Sequence, residues 1–300
     1  MKRTSCGFTL FFLGLILFSC RGNDGKNENP QTPGATETIV INHDNVDRSA
    51  LVYTPNGYDS SFALPVVLNF HGFGGYAAGH LATTDMTAVA DSAQFLLVYP
   101  QGTLLDGSPH WNNALPGPDN KSDAEDLGFV SELLGYLDSA YIIDRERIYA
   151  CGYSNGGMMS YALACYLSNE IAAVASISGC LTDTSSTCLP THPTAVLSFH
   201  GTNDGVLSYT GGTEVLSQMD ALEFWAAVNN CTPTASVETL TSNSYNLEHH
   251  AHLDGDSSVV SEHYKVIGGG HTWFHFEFNG KSANWLLWEF FDQFDIYGKR

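Results

Sequence analysis

The chain has 300 residues, 43% of them hydrophobic and 12% aromatic, which supplies one sizeable core and excludes disorder along the whole length. Charged residues make up only 15%, and 32 acidic against 12 basic side chains leave a net charge of −20. Nothing in such a chain would displace counterions from a phosphate backbone, so no nucleic-acid partner is expected, and the field favours a neutral substrate over a strongly anionic one.

Met1 to Cys20 reads as an export signal. Lys2 and Arg3 form a charged start, and Phe8 to Phe18 is an apolar run too short to span a bilayer. The run ends in Leu17-Phe18-Ser19-Cys20, which resembles a bacterial lipobox. That resemblance implies a signal peptide over residues 1–19, a lipid on Cys20 and anchorage to a bacterial membrane. An ordinary signal peptide cleaved nearby is the other reading. Residues 20–36 are rich in Gly, Asn, Pro and Thr, the composition of a flexible tether. The folded domain is then 37–300, placed in the cell envelope or outside the cell.

Thr38 to Asn42 and Ser49 to Thr54 alternate as an antiparallel opening pair. Pro65 to Phe70 and Phe95 to Tyr99 are apolar runs suited to buried parallel strands, with helical spacing over Thr83 to Ala93 between them. Asp123 to Tyr141 is a helix with Leu127, Val130, Leu133, Leu134 and Leu137 on one stripe. The acids from Asp119 to Asp126 read as its solvated start in preference to a calcium loop. Arg147 to Cys151 is a strand, Asn155 to Leu167 a helix, Ala173 to Ser178 and Ala195 to His200 two further buried strands, and Val215 to Asn229 a helix. A hairpin turns at Leu253-Asp254-Gly255-Asp256, and its second arm, Val259 to Ile267, runs into Gly268-Gly269-Gly270. Trp285 to Phe294 closes the chain as an amphipathic helix. This order predicts one α/β domain, a mainly parallel central sheet flanked by helices, with ligands at the carboxyl ends of the strands.

Apart from Cys6 and Cys20, five cysteines remain, an odd number that leaves at least one free. Cys151 and Cys165 sit in apolar runs and read as core fillers; a bridge would draw on Cys180, Cys188 and Cys231, in a pairing the sequence leaves open. No cysteine pair has zinc spacing.

The sharpest local signal is Gly152-Tyr153-Ser154-Asn155-Gly156 between a strand and a helix. A nucleophile elbow needs that context, because a strained turn lifts the serine hydroxyl above the sheet and small residues on both sides let strand and helix close around it. A serine also needs a base. Among 12 histidines, His271 follows three glycines at a strand's carboxyl end, where it can reach the elbow. Asp204, just past the strand ending at His200, supplies the carboxylate that orients an imidazole, and Ser154, Asp204, His271 reproduces the chain order of α/β-hydrolases. Asp220, Asp254 and Asp256 compete, but none follows a buried strand so closely. An oxyanion hole needs two backbone N–H groups: that of Asn155, and that of Phe73 in His71-Gly72-Phe73-Gly74-Gly75.

The segments HGFGG, WNN at Trp111, EDLGFV, DRERIYACGYSNGGMMSYALA, HGTND and GGGHTW together resemble the polyhydroxybutyrate-depolymerase-type esterases, which are α/β-hydrolases grouped with feruloyl and acetylxylan esterases in carbohydrate esterase family one. The resemblance covers roughly residues 37 to 297 and implies that Ser154, Asp204 and His271 form the triad. Phe274 departs from it, standing where a proline is frequent, and the C-terminal hairpin lacks a cysteine, so no family disulfide through Cys231 is implied. The expected activity is hydrolysis of a neutral ester, within an esterified polysaccharide, a polyester or a small acyl ester, with no cofactor. Rival readings are a serine peptidase of the same fold and a non-catalytic glycan-binding surface lipoprotein. Trp111 and Trp273 are candidates to line the substrate cleft, and His249, His250 and His252 read as exposed hairpin histidines in preference to metal ligands.

Overall fold

The computed structural model describes Met1 and residues 32–117, 120–182 and 187–300; residues 2–19 of the predicted signal peptide, Cys20, most of the tether and Asp119 lie outside the described residues. In chain order, β1 (Thr36–His43) and β2 (Val46–Tyr53) are followed by β3 (Leu64–Phe70), α1 (Ala77–Thr84), α2 (Thr87–Ala93) and β4 (Leu96–Pro100). A small hairpin, β5 (Thr103–Leu105) and β6 (Ser108–His110), precedes α3 (Asp126–Ala140) and β7 (Ile143–Tyr153). Next come α4 (Asn155–Tyr166), β8 (Ala173–Ile177), β9 (Ala195–Gly201) and α5 (Gln218–Val228). The chain closes with β10 (Ser236–Thr241), β11 (Asn246–His252), β12 (Ser261–Val266), β13 (Glu277–Phe278), β14 (Lys281–Ser282), α6 (Ala283–Phe291), β15 (Phe294–Asp295) and β16 (Gly298–Lys299).

Ten of these strands form one sheet in the order β1-β2-β4-β3-β7-β8-β9-β12-β11-β10. From β4 to β12 every neighbouring pair is parallel, and the antiparallel pairs sit at the two margins. β3, β4, β8 and β9 are buried along their whole length, as apolar runs covered on both faces must be. Their alternate residues divide between two cores. Val66, Leu68, Phe70, Leu96 and Val98 pack with α3, α4 and α5, whereas Val67, Leu97, Tyr99 and Phe199 pack with α1, α2 and α6. Period-two alternation thus covers each face with its own helical layer. The predicted α/β-hydrolase architecture is the one observed.

Several local expectations need correcting. The single helix over 83–93 is two helices, because Asp85 takes φ 31° and its N–H closes α1 on Leu81. The second arm of the predicted hairpin is β12, but it pairs on its other side with β9 and so belongs to the main sheet. Asp126 is not a solvated helix start. It is buried, 2.6 Å from the equally buried Arg48, whose guanidinium lies 4.0 Å over the Phe129 ring. Cys165 does lie in the core, but it also bridges Cys188, so the bridge does not draw on Cys180 or Cys231, which with Cys151 stay reduced. Its place in the last turn of α4 puts it where the returning chain passes, and an apolar sequence neighbourhood does not reveal that meeting.

Candidate active site

Ser154 stands between β7 and α4 with φ 55° and ψ −117°, outside the regions a non-glycine residue ordinarily occupies. Its neighbours make that turn possible. A Cβ on Gly152 would lie 2.3 Å from Gly156 O, and one on Gly156 would lie 2.1 Å from Phe70 O. Only hydrogen fits at either place, so β7, the elbow and α4 close up and leave Ser154 partly exposed at the strand's carboxyl end.

Neighbouring strands deliver the other two members. Asp204 follows β9 and His271 follows β12, and these strands pair in parallel. Beyond their ends the chains touch: a Cβ on Gly201 would stand 2.1 Å from Gly269 O, and Asn203 N–H donates to that same carbonyl at 2.9 Å. The Asp204 side chain is fully buried; its Oδ1 accepts N–H bonds from Val206 and Leu207, both 2.8 Å. Its Oδ2 lies 2.7 Å from His271 Nδ1, and His271 Nε2 lies 2.9 Å from Ser154 Oγ. A carboxylate can only accept, so Nδ1 carries the imidazole hydrogen and Nε2 is free to take the serine proton. Tyr153 Oη donates to His271 O at 3.0 Å and Ser178 Oγ to Thr272 O at 2.8 Å, which pin the loop.

The glycine-rich turn after β3 lies against the elbow. A Cβ on Gly72 would stand 3.3 Å from Ser154 Cβ, so this turn packs against the nucleophile, and the next N–H along it is that of Phe73. It has no acceptor among the described residues, and Asn155 N–H, at the first position of α4, has no intrahelical acceptor either.

The turn is held by groups that sequence reasoning missed. His71 Nδ1–H donates to Gly72 O at 2.8 Å, while Nε2 accepts from Gly102 N–H at 3.0 Å. Burial pushes the His71 pKa down to about 4 and that of nearby His80 to about 3, so both rings are neutral near pH 7. The Asn155 amide clamps the Trp111 backbone at both ends, accepting from its N–H at 2.8 Å and donating to its carbonyl at 3.0 Å. Trp111 in turn donates its indole N–H to His71 O at 3.0 Å.

Trp111 therefore does not line a cleft; it is fully buried as the post between elbow and glycine turn. Trp273 is buried as well, its indole N–H on Asn284 Oδ1 at 3.1 Å and its ring edge-on to His80. The open space lies elsewhere. A cleft of about 450 Å³ is lined by Asn112, Asn113, Lys121, Met158, Thr213 and Glu214 among others, and Met158 is one turn from Ser154, its N–H on Ser154 O. The lining mixes polar side chains with a larger share of apolar surface from residues such as Met158, Ala114 and Val215, and its one cation and one carboxylate cancel. The hairpin histidines are not exposed: His249 and His250 are half-buried against Glu262 and Glu248, and His252 is buried on Thr232 O.

The family profile described as phospholipase/carboxylesterase matches residues 60–230, a span that includes the elbow, the glycine turn and Asp204. The chain belongs to this family. Within the phospholipase/carboxylesterase family it is similar to feruloyl esterase B of Piromyces equi, 28% identical over 261 residues covering 83% of this chain and 46% of that protein. It thus spans less than half of that relative. A probable feruloyl esterase C of Aspergillus niger is 30% identical over 240 residues, 79% of this chain and 81% of the relative. The acetyl xylan esterase of Aspergillus awamori shares the fold, with TM-score 0.59 and 16% identity over 85% of this chain and 99% of that one. The resemblance to feruloyl-esterase-like α/β-hydrolases holds.

Proposed function

We propose that this chain is a serine esterase acting on carboxylic esters of the feruloyl or acetylxylan type through an acyl-enzyme. The observation that carries the reading is the unbroken line from Asp204 Oδ2 to His271 to Ser154 Oγ, at 2.7 and 2.9 Å. Ser154 Oγ attacks the ester carbonyl as its proton passes to His271 Nε2. The oxyanion takes the N–H groups of Asn155 and Phe73, each such donor contributing about 3 kcal/mol to the barrier reduction. His271 returns the proton to the leaving alcohol, and the C–O bond to that alcohol breaks. Water, deprotonated by the same imidazole, then releases the acid and restores Ser154. Asp204 keeps its charge throughout and stabilises the imidazolium. No step calls on a cofactor.

The names of the relatives support an aromatic acyl group, and the neutral, hydrogen-bonding cleft beside Met158 suits a glycosyl leaving group. The test compares wild type with Ser154→Ala on p-nitrophenyl acetate, butyrate and octanoate and on methyl ferulate. Activity that disappears with Ser154, by at least about a thousandfold, is expected. Equal rates in the two proteins would reject the mechanism, and cleavage of peptides without ester turnover would favour a peptidase. Export is part of the proposal, with residues 1–19 removed, Cys20 lipidated and 37–300 as the catalytic domain. Cys20→Ala is then expected to move the protein from membrane to soluble fractions; a soluble, unlipidated wild type would reject the anchor.

A further inference from the structure

Asp204 has a second imidazole behind it. His200, the penultimate residue of β9, is as fully buried as the carboxylate, and its Nε2 lies 2.8 Å from Leu207 O and 3.2 Å from Asp204 Oδ2. Both neighbours are acceptors. An unprotonated Nε2 would aim its lone pair at two oxygens, so the ring carries its hydrogen there. The other nitrogen, Nδ1, is buried and makes no hydrogen bond of ordinary geometry among the described residues; contact with the Gly179 backbone favours a protonated ring, but burial outweighs it. Burial accordingly pushes the pKa of His200 below its ordinary value.

We infer that His200 is a positioning residue for Asp204: its Nε2–H, hydrogen-bonded to Leu207 O and facing Asp204 Oδ2 at 3.2 Å, holds the carboxylate to β9 by electrostatic attraction and aims it at His271. The inference rests on the triad reading given above. It follows from asking what holds the carboxylate still. The two N–H groups on Oδ1 belong to Val206 and Leu207, members of the same turn as Asp204, and would travel with it. His200 belongs to the strand that pairs with β12, the strand leading to His271. It references the turn to the frame that carries the base. The ring is itself wedged: half-buried Tyr209 packs against it edge-on, Tyr209 Oη lies 2.9 Å from His263 Nε2, and buried His263 places its Nδ1 2.8 Å from Ser198 Oγ. The remaining titratable groups that sense Asp204, Tyr153 and Cys180, are held neutral at working pH, since burial and the Asp204 charge raise both.

Three full-length variants test this on p-nitrophenyl acetate, with Ser154→Ala as the blank. His200→Phe keeps an aromatic ring, a somewhat larger one, and deletes the donor. His200→Gln places an amide N–H where Nε2 was, and His200→Asn stops an atom short, at the position of Nδ1. For His200→Phe and His200→Asn, kcat is expected to fall about 10- to 100-fold with KM within about twofold, the worth of one hydrogen bond to a charged group. The acid limb of kcat/KM should move to higher pH, because a carboxylate relieved of one donor holds the protonated His271 more tightly. His200→Gln should recover most of the rate and the wild-type pH profile. A His200→Phe within twofold of wild type overturns the inference. So does a folded His200→Asn as active as His200→Gln, a comparison that stands even where His200→Phe does not fold. Equal losses in all three with an unmoved pH profile would make His200 merely structural. Failure of the triad reading looks different: a wild type no faster than Ser154→Ala removes the esterase and this inference together.

Discussion

Asp204→Asn changes one atom of a fully buried side chain, and the surroundings dictate how the new amide must sit. Were its NH2 on the Oδ1 side, it would face the N–H groups of Val206 and Leu207 at 2.8 Å, two donors against a donor. The amide therefore keeps its oxygen there and turns its NH2 toward His271 Nδ1, where Oδ2 had stood at 2.7 Å. Nδ1 must now accept, so the imidazole hydrogen moves to Nε2. There it points at Ser154 Oγ, 2.9 Å away, and the base is occupied before the reaction starts. The NH2 also meets the Nε2–H of His200 at 3.2 Å, which offers no relief. In triads of this kind the wrong tautomer costs about 10⁴ in kcat, about 5.4 kcal/mol of barrier. The assay is steady-state hydrolysis of p-nitrophenyl butyrate near neutral pH by wild type and variant, with circular dichroism to establish that both are folded. A folded Asp204→Asn that keeps more than about a tenth of the wild-type kcat refutes the reasoning.

Other outcomes follow from the same geometry. Gly156→Ala puts a Cβ 2.1 Å from Phe70 O and 2.7 Å from His71 O, both backbone, and should lower melting temperature and abolish turnover. Gly79→Ala in α1, which meets nothing within 4 Å, should instead gain about 0.5–1 kcal/mol; equal behaviour of the two in thermal melts would contradict the elbow packing. Removing the Cys165–Cys188 bridge as the double serine variant opens a loop with a sequence separation of 23. Chain entropy then predicts a loss of about 3 kcal/mol and roughly 6–12 °C in melting temperature, with turnover at 25 °C unchanged; a shift under about 2 °C would show the bridge idle. Because burial holds His71 at about 4 in the folded state against 6.5 unfolded, the unfolded chain binds more protons between those values. Stability should therefore be full above about pH 6.5 and fall by on the order of 3 kcal/mol as pH drops toward 4, read as denaturant midpoints; a flat profile would place His71 in water.

The sequence carried the buried strands because β3, β4, β8 and β9 are apolar on both faces, and no other element has that signature over so few residues. It pointed to Ser154, Asp204 and His271 as well, since Ser154 directly follows β7 in a glycine-flanked turn, Asp204 lies just past β9 and His271 follows a glycine run. β10 escaped notice because only Leu240 of its six residues is buried, and a polar edge strand has no alternation to read. The split of α1 from α2 depends on one residue with positive φ, and aspartate at that place is not a recognisable stop. Trp111 was misplaced for a different reason. Its burial is decided by partners 40 and 44 residues away, His71 and Asn155, and such long-range hydrogen bonds leave no trace in local pattern. His200 was hidden in the same way, although it stands four residues before Asp204: nothing in HGTND says that the strand points this ring back at the turn.

The contact between Gly201 and Gly269 has a consequence for how this scaffold can vary. It acts as a clasp, and the stretch between the clasped ends passes through α5 and adds β11 and β10 at the margin of the sheet without entering the contact between Asp204 and His271. Such a detour can grow. An insertion at the exposed turn around Ser244, between the two marginal strands, would hang a new module from the rim while the proton path below stays in register. The part of the chain nearest the acid–base pair in sequence is thus the part most open to elaboration.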